Sequence, residues 1–217
     1  MATPSPLSLL LERRLSVERI GPYRTTVGGD LDRALLLYEW NATVGAAIHE
    51  AIGHLEVVLR NALHEQLTAW HTAQQLPGQW YDDPNQALDR HRRDDIDAAR
   101  ARIRRDGKVE TSGKVVAELM FGFWRFLLDK RYQPTLWAQA LRHAFPHLQP
   151  QRRVEVYDPV YALVRLRNRI AHHEPVHHLP LHARHDDLLR VAAYLDPAIE
   201  AWISQTSRVP ALLSARP

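Results

Sequence analysis

The chain has 217 residues, 45% apolar and 24% charged, with a formal net charge of +3 and a sequence pI near 9.4. That length suits one domain with a substantial core, and the absence of cysteine excludes disulfides and cysteine-ligated metal sites. The apolar run in MATPSPLSLLLERRL is too short for a secretory signal and follows no basic residue, and no segment reaches the length of a membrane span. A cytoplasmic protein without a membrane partner is therefore the expectation.

Taken in chain order, residues 1–29 read as an N-terminal extension, with 21–30 as its loop. Asp30 is suited to cap a helix starting at Leu31. Asn41 is suited to cap a second helix running to about residue 70. In it Val44, Ile48, Ile52, Leu55, Leu59, Leu63, Leu67 and Trp70 recur in steps of three and four, the mark of one buried face. Residues 74–85 carry two prolines and a glycine and break the pattern. A charged helix is expected over 86–105, a loop over 106–113, and a central, strongly apolar helix over 114–128. A short helix follows Pro134 to about residue 144, and a longer one follows Pro150 to about residue 173. A last helix starts near Ala183 and kinks at Asp196–Pro197, and residues 207–217 form a tail ending in a frayed SARP. No hairpin signal or repeat interrupts this, so the chain reads as all-α, a single domain of long antiparallel helices over 30–206.

Two polar residues stand where apolar ones belong. On a helix turning about 100° per residue, Ile170, Leu163, Val156, Val160, Ala171, Val164 and Tyr157 span an arc of roughly 140° with Arg167 near its middle. A buried arginine must find partners. Glu56 falls inside the stripe of Ile48, Ile52, Leu55, Leu59 and Leu63, with Arg60 at its edge. A structural ion pair of Glu56 with Arg60 or Arg167 is one reading. A cleft in which Glu56 holds Arg167 in place is the other, and the two are compatible. Asn168 lies about 100° from Arg167 and His172 about 140°. Pro175 disfavours a helical Glu174, so a fraying last turn would let His172 swing back toward Arg167, at the end of the helix dipole that favours protonated imidazole.

The string His173-Glu174-Pro175-Val176-His177 has the letters H-E-x-x-H. Zinc proteases need that motif on a helix, and here a proline occupies the third position where the helix must stop. The string is read as incidental, with no metal or other cofactor expected. The helix from Leu88 to Arg105 holds seven arginines and four aspartates. It reads either as a solvated face laced with ion pairs or as a track for an RNA backbone through Arg93, Arg100 and Arg104. Phe121, Phe123 and Trp124 read as core, with a seam between two subunits as the alternative.

The stretch LRNRIAHHEP, together with ALLLYEWNATVGAAI, LEVVLRNAL and AELMFGFWRFLL in that order, resembles the Abi-like (abortive infection) proteins of the HEPN superfamily, over roughly residues 30–196. Many HEPN domains carry an arginine, four to six residues and a histidine, with a polar residue directly after the arginine; Arg167, Asn168 and His172 fit. The resemblance implies a HEPN-like helical bundle and a metal-independent endoribonuclease, a toxin or antiphage effector, working as a homodimer with both motifs in one cleft. It makes Arg167 and His172 the catalytic pair and Asn168 a supporting residue. His173, the second of two adjacent imidazoles, is a substitute or helper, Glu56 supports by holding Arg167, and Arg169 is a further RNA contact. RNA is the implied substrate, and an antitoxin or a regulatory noncoding RNA the implied restraint. A non-enzymatic nucleotide-binding or interaction module is the main rival, and a metallohydrolase with stoichiometric zinc the third.

Overall fold

The computed structural model describes residues 4–217, which are helical and contain no strand. Residues 1–3 of the expected extension lie outside the described residues. The rest of that extension is two helices, α1 (Pro6–Leu15) and α2 (Val17–Thr26). Residues 21–26, expected in a loop, are therefore helical despite Pro22. Burial overrides the breaker, since Ile20 and Tyr23 on α2 are fully enclosed.

Asp30 accepts the Arg33 N–H at 3.0 Å, and from that cap α3 (Leu31–Ala73) runs unbroken for 43 residues, about 65 Å. Asn41 thus starts no new helix. Its side chain turns inward instead and is spent on a distant loop. The stripe from Val44 to Leu67 is buried as its spacing implies, while Trp70 is half-buried.

Asp89 caps α4 (Arg90–Arg105) by accepting the Arg92 N–H at 3.0 Å. The apolar segment expected as one central helix is two, α5 (Ser112–Glu118) and α6 (Phe121–Leu127), with Leu119 and Met120 extended between them. One straight helix cannot put Val115, Val116, Phe121, Phe123 and Trp124 on a single stripe, and the break rephases the second half toward the core. The Trp124 indole N–H donates to the Leu119 carbonyl across it at 3.2 Å. Residues 130–144 form three short turns, Lys130–Tyr132, Gln133–Trp137 and Leu141–Ala144, rather than one helix.

α7 (Arg153–Ala171) follows, then α8 (Leu181–Leu195) and α9 (Pro197–Thr206). The kink at Asp196 is a full break, where Asp196 caps α9 through the Ala198 N–H at 2.7 Å. The C-terminal stretch is ordered as α10 (Val209–Ser214). Val209 is buried and the Leu212 carbonyl accepts the Trp40 indole N–H at 2.7 Å.

α3 is the central member, with α2, α7, α8 and α10 packed on it. Contacts with α7 and the turn after it step backward along α3. The Arg167 guanidinium acts on Glu56, Ile170 faces Gly45, and Val176 meets Asn41. The two helices are therefore antiparallel. No helix is long and apolar enough to cross a membrane among the described residues.

Candidate functional site

The last turn of α7 does not fray. The His172 N–H still bonds the Asn168 carbonyl at 3.0 Å, the His173 N–H bonds Ile170 at 2.9 Å, and the Glu174 N–H reaches Arg169 at 2.8 Å. This is a Schellman closure with His173 at the left-handed position, φ +57°. A non-glycine residue there is strained, and such strain persists only where the surroundings hold it. Two side chains do so. Arg19 Nη1 donates to the His173 carbonyl at 2.5 Å. Asn41, itself buried, accepts the backbone N–H groups of Val176 and His177 on its Oδ1 at 2.8 and 2.9 Å. Helices α2 and α3 thus fix the turn that carries the two adjacent imidazoles.

Closure also fixes what each imidazole faces. His172 and Asn168 are exposed, on the outward side of α7. Arg167 is half-buried on the inward side, and its Nη1 donates a long 3.4 Å hydrogen bond to Asn168 Oδ1. In a single chain His172 does not swing back to Arg167, because the helical bond from Asn168 to His172 is intact.

Opposite Arg167, α3 presents His49, Gly53, Glu56 and Arg60 within an arc of about 60°. Gly53 is not there to admit a neighbour, since a Cβ added to it would meet nothing within 4 Å. The seam between α3 and α7 is open at this point. Neither expected ion pair of Glu56 closes to contact distance, as no carboxylate–guanidinium pair involving it lies within 4.0 Å among the described residues. Burial pushes the Glu56 carboxyl up from the usual range, and the guanidiniums of Arg167 and then Arg60 pull it back only in part. The Arg60 Nε is buried without a hydrogen-bond partner. The seam therefore holds two guanidiniums around one carboxylate that burial disfavours as an anion, a locally electropositive set.

At the end of this seam lies a cleft of about 460 Å³. Tyr23 of α2, Tyr38, Asn41, Gly45 and His49 of α3, and Ile170, His173 and Glu174 line it. His173 is thus turned into a cleft that Arg167 and His172 do not line. Sequence reasoning missed His49, Tyr23 and Tyr38 there, and Arg19, which holds the His173 carbonyl. His49 was findable, since it stands seven residues before Glu56 and hence on the same helical strip. The string His173–His177 lies in the turn after α7, not on a helix. His177 is buried, with its Nε2 3.0 Å from Thr26 Oγ1. Among the described residues no group of three or more His, Asp or Glu converges as a metal-binding set.

The α4 arginines are mostly committed. Arg93 donates to the Leu88 carbonyl at 2.7 Å and lies 3.5 Å from Asp83. Arg100 pairs with Asp82 and Glu110. These pairs fit the reading of a face laced with ion pairs, with carboxylates on both forks that an RNA track would use. Arg104 is exposed, with no carboxylate partner among the described residues. Arg169 lies elsewhere, between α7 and α8, with its Nε 3.2 Å from Glu174. Phe121, Phe123 and Trp124 are buried in the core of the single chain.

Comparison with family models, with curated proteins and with solved structures returns no match for this chain.

Proposed function

We propose that the chain is a metal-independent endoribonuclease, an Abi-like member of the HEPN superfamily acting in the cytoplasm as a toxin or antiphage effector. The observation that carries the reading is Arg167, a half-buried guanidinium in the open α3–α7 seam with no carboxylate within 4.0 Å among the described residues, followed on α7 by the exposed Asn168 and His172. RNA brings its own nucleophile, the 2′-hydroxyl. The enzyme must take its proton, stabilise the charge that develops on phosphate, and protonate the leaving 5′-oxygen. An imidazole, which can both accept and donate a proton, suits the proton transfers, and a pre-oriented guanidinium suits the phosphate.

Arg167 and His172 diverge on one α7, which favours a composite site. Two copies meeting at the C-terminal ends of their α7 helices, around Asn168 and His172, would set His172 of one copy beside the motif of the other, so that one imidazole serves as base and the second as acid. An antitoxin or a noncoding RNA that covers this face would restrain such an enzyme.

A second reading draws on the 460 Å³ cleft, which tyrosines wall and from which Arg167 and His172 are absent. It makes the chain a non-catalytic HEPN module that binds a nucleotide or a partner there.

Incubation with RNA and chelator separates the two. The nuclease cuts single-stranded RNA, spares DNA of the same sequence, and leaves 2′,3′-cyclic phosphate ends. Intact RNA, or cutting that needs added metal, refutes the nuclease.

A further inference from the structure

The outward face of α7 bears Tyr161, Arg165, Asn168 and His172 within an arc of about 60°. Beside it, between α7 and the start of α8, runs a groove of about 360 Å³. Tyr161, Arg165 and Arg169 line one side of it, and Leu179, Pro180 and Arg184 the other, with no carboxylate among the lining residues. Arg165 is exposed and has no ion-pair or hydrogen-bond partner among the described residues; its guanidinium carbon stands 5.8 Å from the Tyr161 ring centroid. Arg184 keeps a buried Nε without a hydrogen-bond partner, whereas Arg169 is held by Glu174, 3.2 Å from its Nε, and by the Pro175 carbonyl, 3.4 Å from its Nη2. Their carboxylates, Glu174 and Asp187, leave capacity to spare, because Asp187 is shared with Arg190. Tyr161 is 39% exposed although Tyr157 stacks on it at 5.9 Å and the Arg125 guanidinium lies 5.3 Å from its centroid.

Three guanidiniums around an exposed aromatic ring, in a narrow apolar-walled groove, form the combination that holds a single nucleic-acid strand: charge for the backbone and a ring face for a base. A duplex offers no unstacked base to such a ring. In the adjoining depression toward the start of α7, Glu155, Asp158 and Asp187 outnumber Arg184 and Arg190, which disfavours a phosphate backbone there. The track therefore leads the other way, toward Arg169 and the turn that carries His172.

We propose that this α7–α8 groove binds a segment of single-stranded RNA, with phosphates on Arg165, Arg169 and Arg184 and a base against Tyr161. The assignment rests on the ribonuclease reading for its ligand and replaces α4 as the RNA track.

The test uses a fluorescent 2′-O-methyl oligouridine of twelve nucleotides, which has no 2′-hydroxyl to attack and so reports binding apart from cleavage. Anisotropy titrations of the full chain at several salt concentrations should give a log–log slope of about −2 for three phosphate contacts on a single strand. Arg165→Ala should make that slope shallower by about 0.7. Tyr161→Ala should weaken binding about tenfold and Tyr161→Phe less than twofold, since stacking needs the ring and not the hydroxyl. Arg165 is exposed, so Arg165→Ala should keep the wild-type thermal midpoint; Tyr161→Phe, which keeps the ring against Tyr157 and Arg125, controls for packing lost in Tyr161→Ala. Wild type that fails to bind, or Arg165→Ala and Tyr161→Ala that bind like wild type, overturns the groove. The two claims separate cleanly. Groove-dependent binding with no cleavage of ordinary RNA removes the nuclease and keeps the groove. RNA cleavage with equal kcat/KM in wild type and both alanine variants does the reverse.

Discussion

The Asn41 carboxamide oxygen accepts the backbone N–H of Val176 at 2.8 Å, joining the first quarter of α3 to the turn that follows the two histidines. The same oxygen takes the His177 N–H, so one side chain satisfies two buried donors. Asn41→Ala strands both. Each buried donor left unpaired costs about 1–3 kcal/mol, so the variant should lose about 2–5 kcal/mol in chemical denaturation. Hydrogen exchange should rise first at residues 173–178, with the helical circular dichroism unchanged. Exchange that rises uniformly would show that Asn41 supports the whole core and not this turn.

Glu56 gives a prediction with a definite sign. Its carboxyl is raised by burial, against the opposing pull of Arg167 and Arg60. An acid raised on folding holds its proton longer in the folded chain, so stability is highest below the unfolded value and declines as pH rises through the folded one. Glu56→Gln copies the neutral form. Its thermal midpoint should exceed that of wild type at pH 7, and the two should converge near pH 4. A variant less stable at pH 7 would mean that the carboxylate is needed to hold the two arginines.

Two buried histidines, His177 and His185, and the half-buried His64 set the acid limit. Burial lowers His64, His177 and His185 from the ordinary imidazole range, with His178 and Arg216 adding to the effect at His177, and His182 adding to it at His185 against Asp186. His64 Nδ1 accepts the Trp80 indole N–H at 2.8 Å, which requires that nitrogen unprotonated. A lowered imidazole gives stability that is full above the unfolded value, about 6.5, and is lost as pH falls from there through the folded value. The thermal midpoint should drop between pH 7 and 5, with net proton uptake on unfolding. His64→Gln should flatten that drop. An unchanged slope would place the acid sensitivity elsewhere.

What the sequence disclosed follows from what periodicity records. The stripe from Val44 to Leu67, the polar intrusions Glu56 and Arg167, and the cap at Asp30 are local patterns, and each appears where the spacing puts it. Asn41 looks like a cap because asparagine favours caps, yet its oxygen bonds residues 135 and 136 positions away. No local signal reports such a partner. The break between α5 and α6 was hidden for a related reason, since an unbroken apolar run does not say which face it buries. Arg93 and Arg100 illustrate the same limit for charge. A row of arginines advertises a basic surface, but Asp82, Asp83 and Glu110 come from outside the helix and pair with Arg93 and Arg100. The groove on α7 was missed because its second wall is α8, beyond the motif that drew attention.

The most direct measurement of the central claim is the rate at which wild type, Arg167→Ala and His172→Ala cut a single-stranded RNA in chelator, with Arg167→Lys included to keep the charge but not the guanidinium fork. The account predicts that each alanine variant loses at least about 100-fold in rate, that lysine rescues little, and that all variants retain the helical circular dichroism. Wild-type cutting by His172→Ala or Arg167→Ala would contradict it.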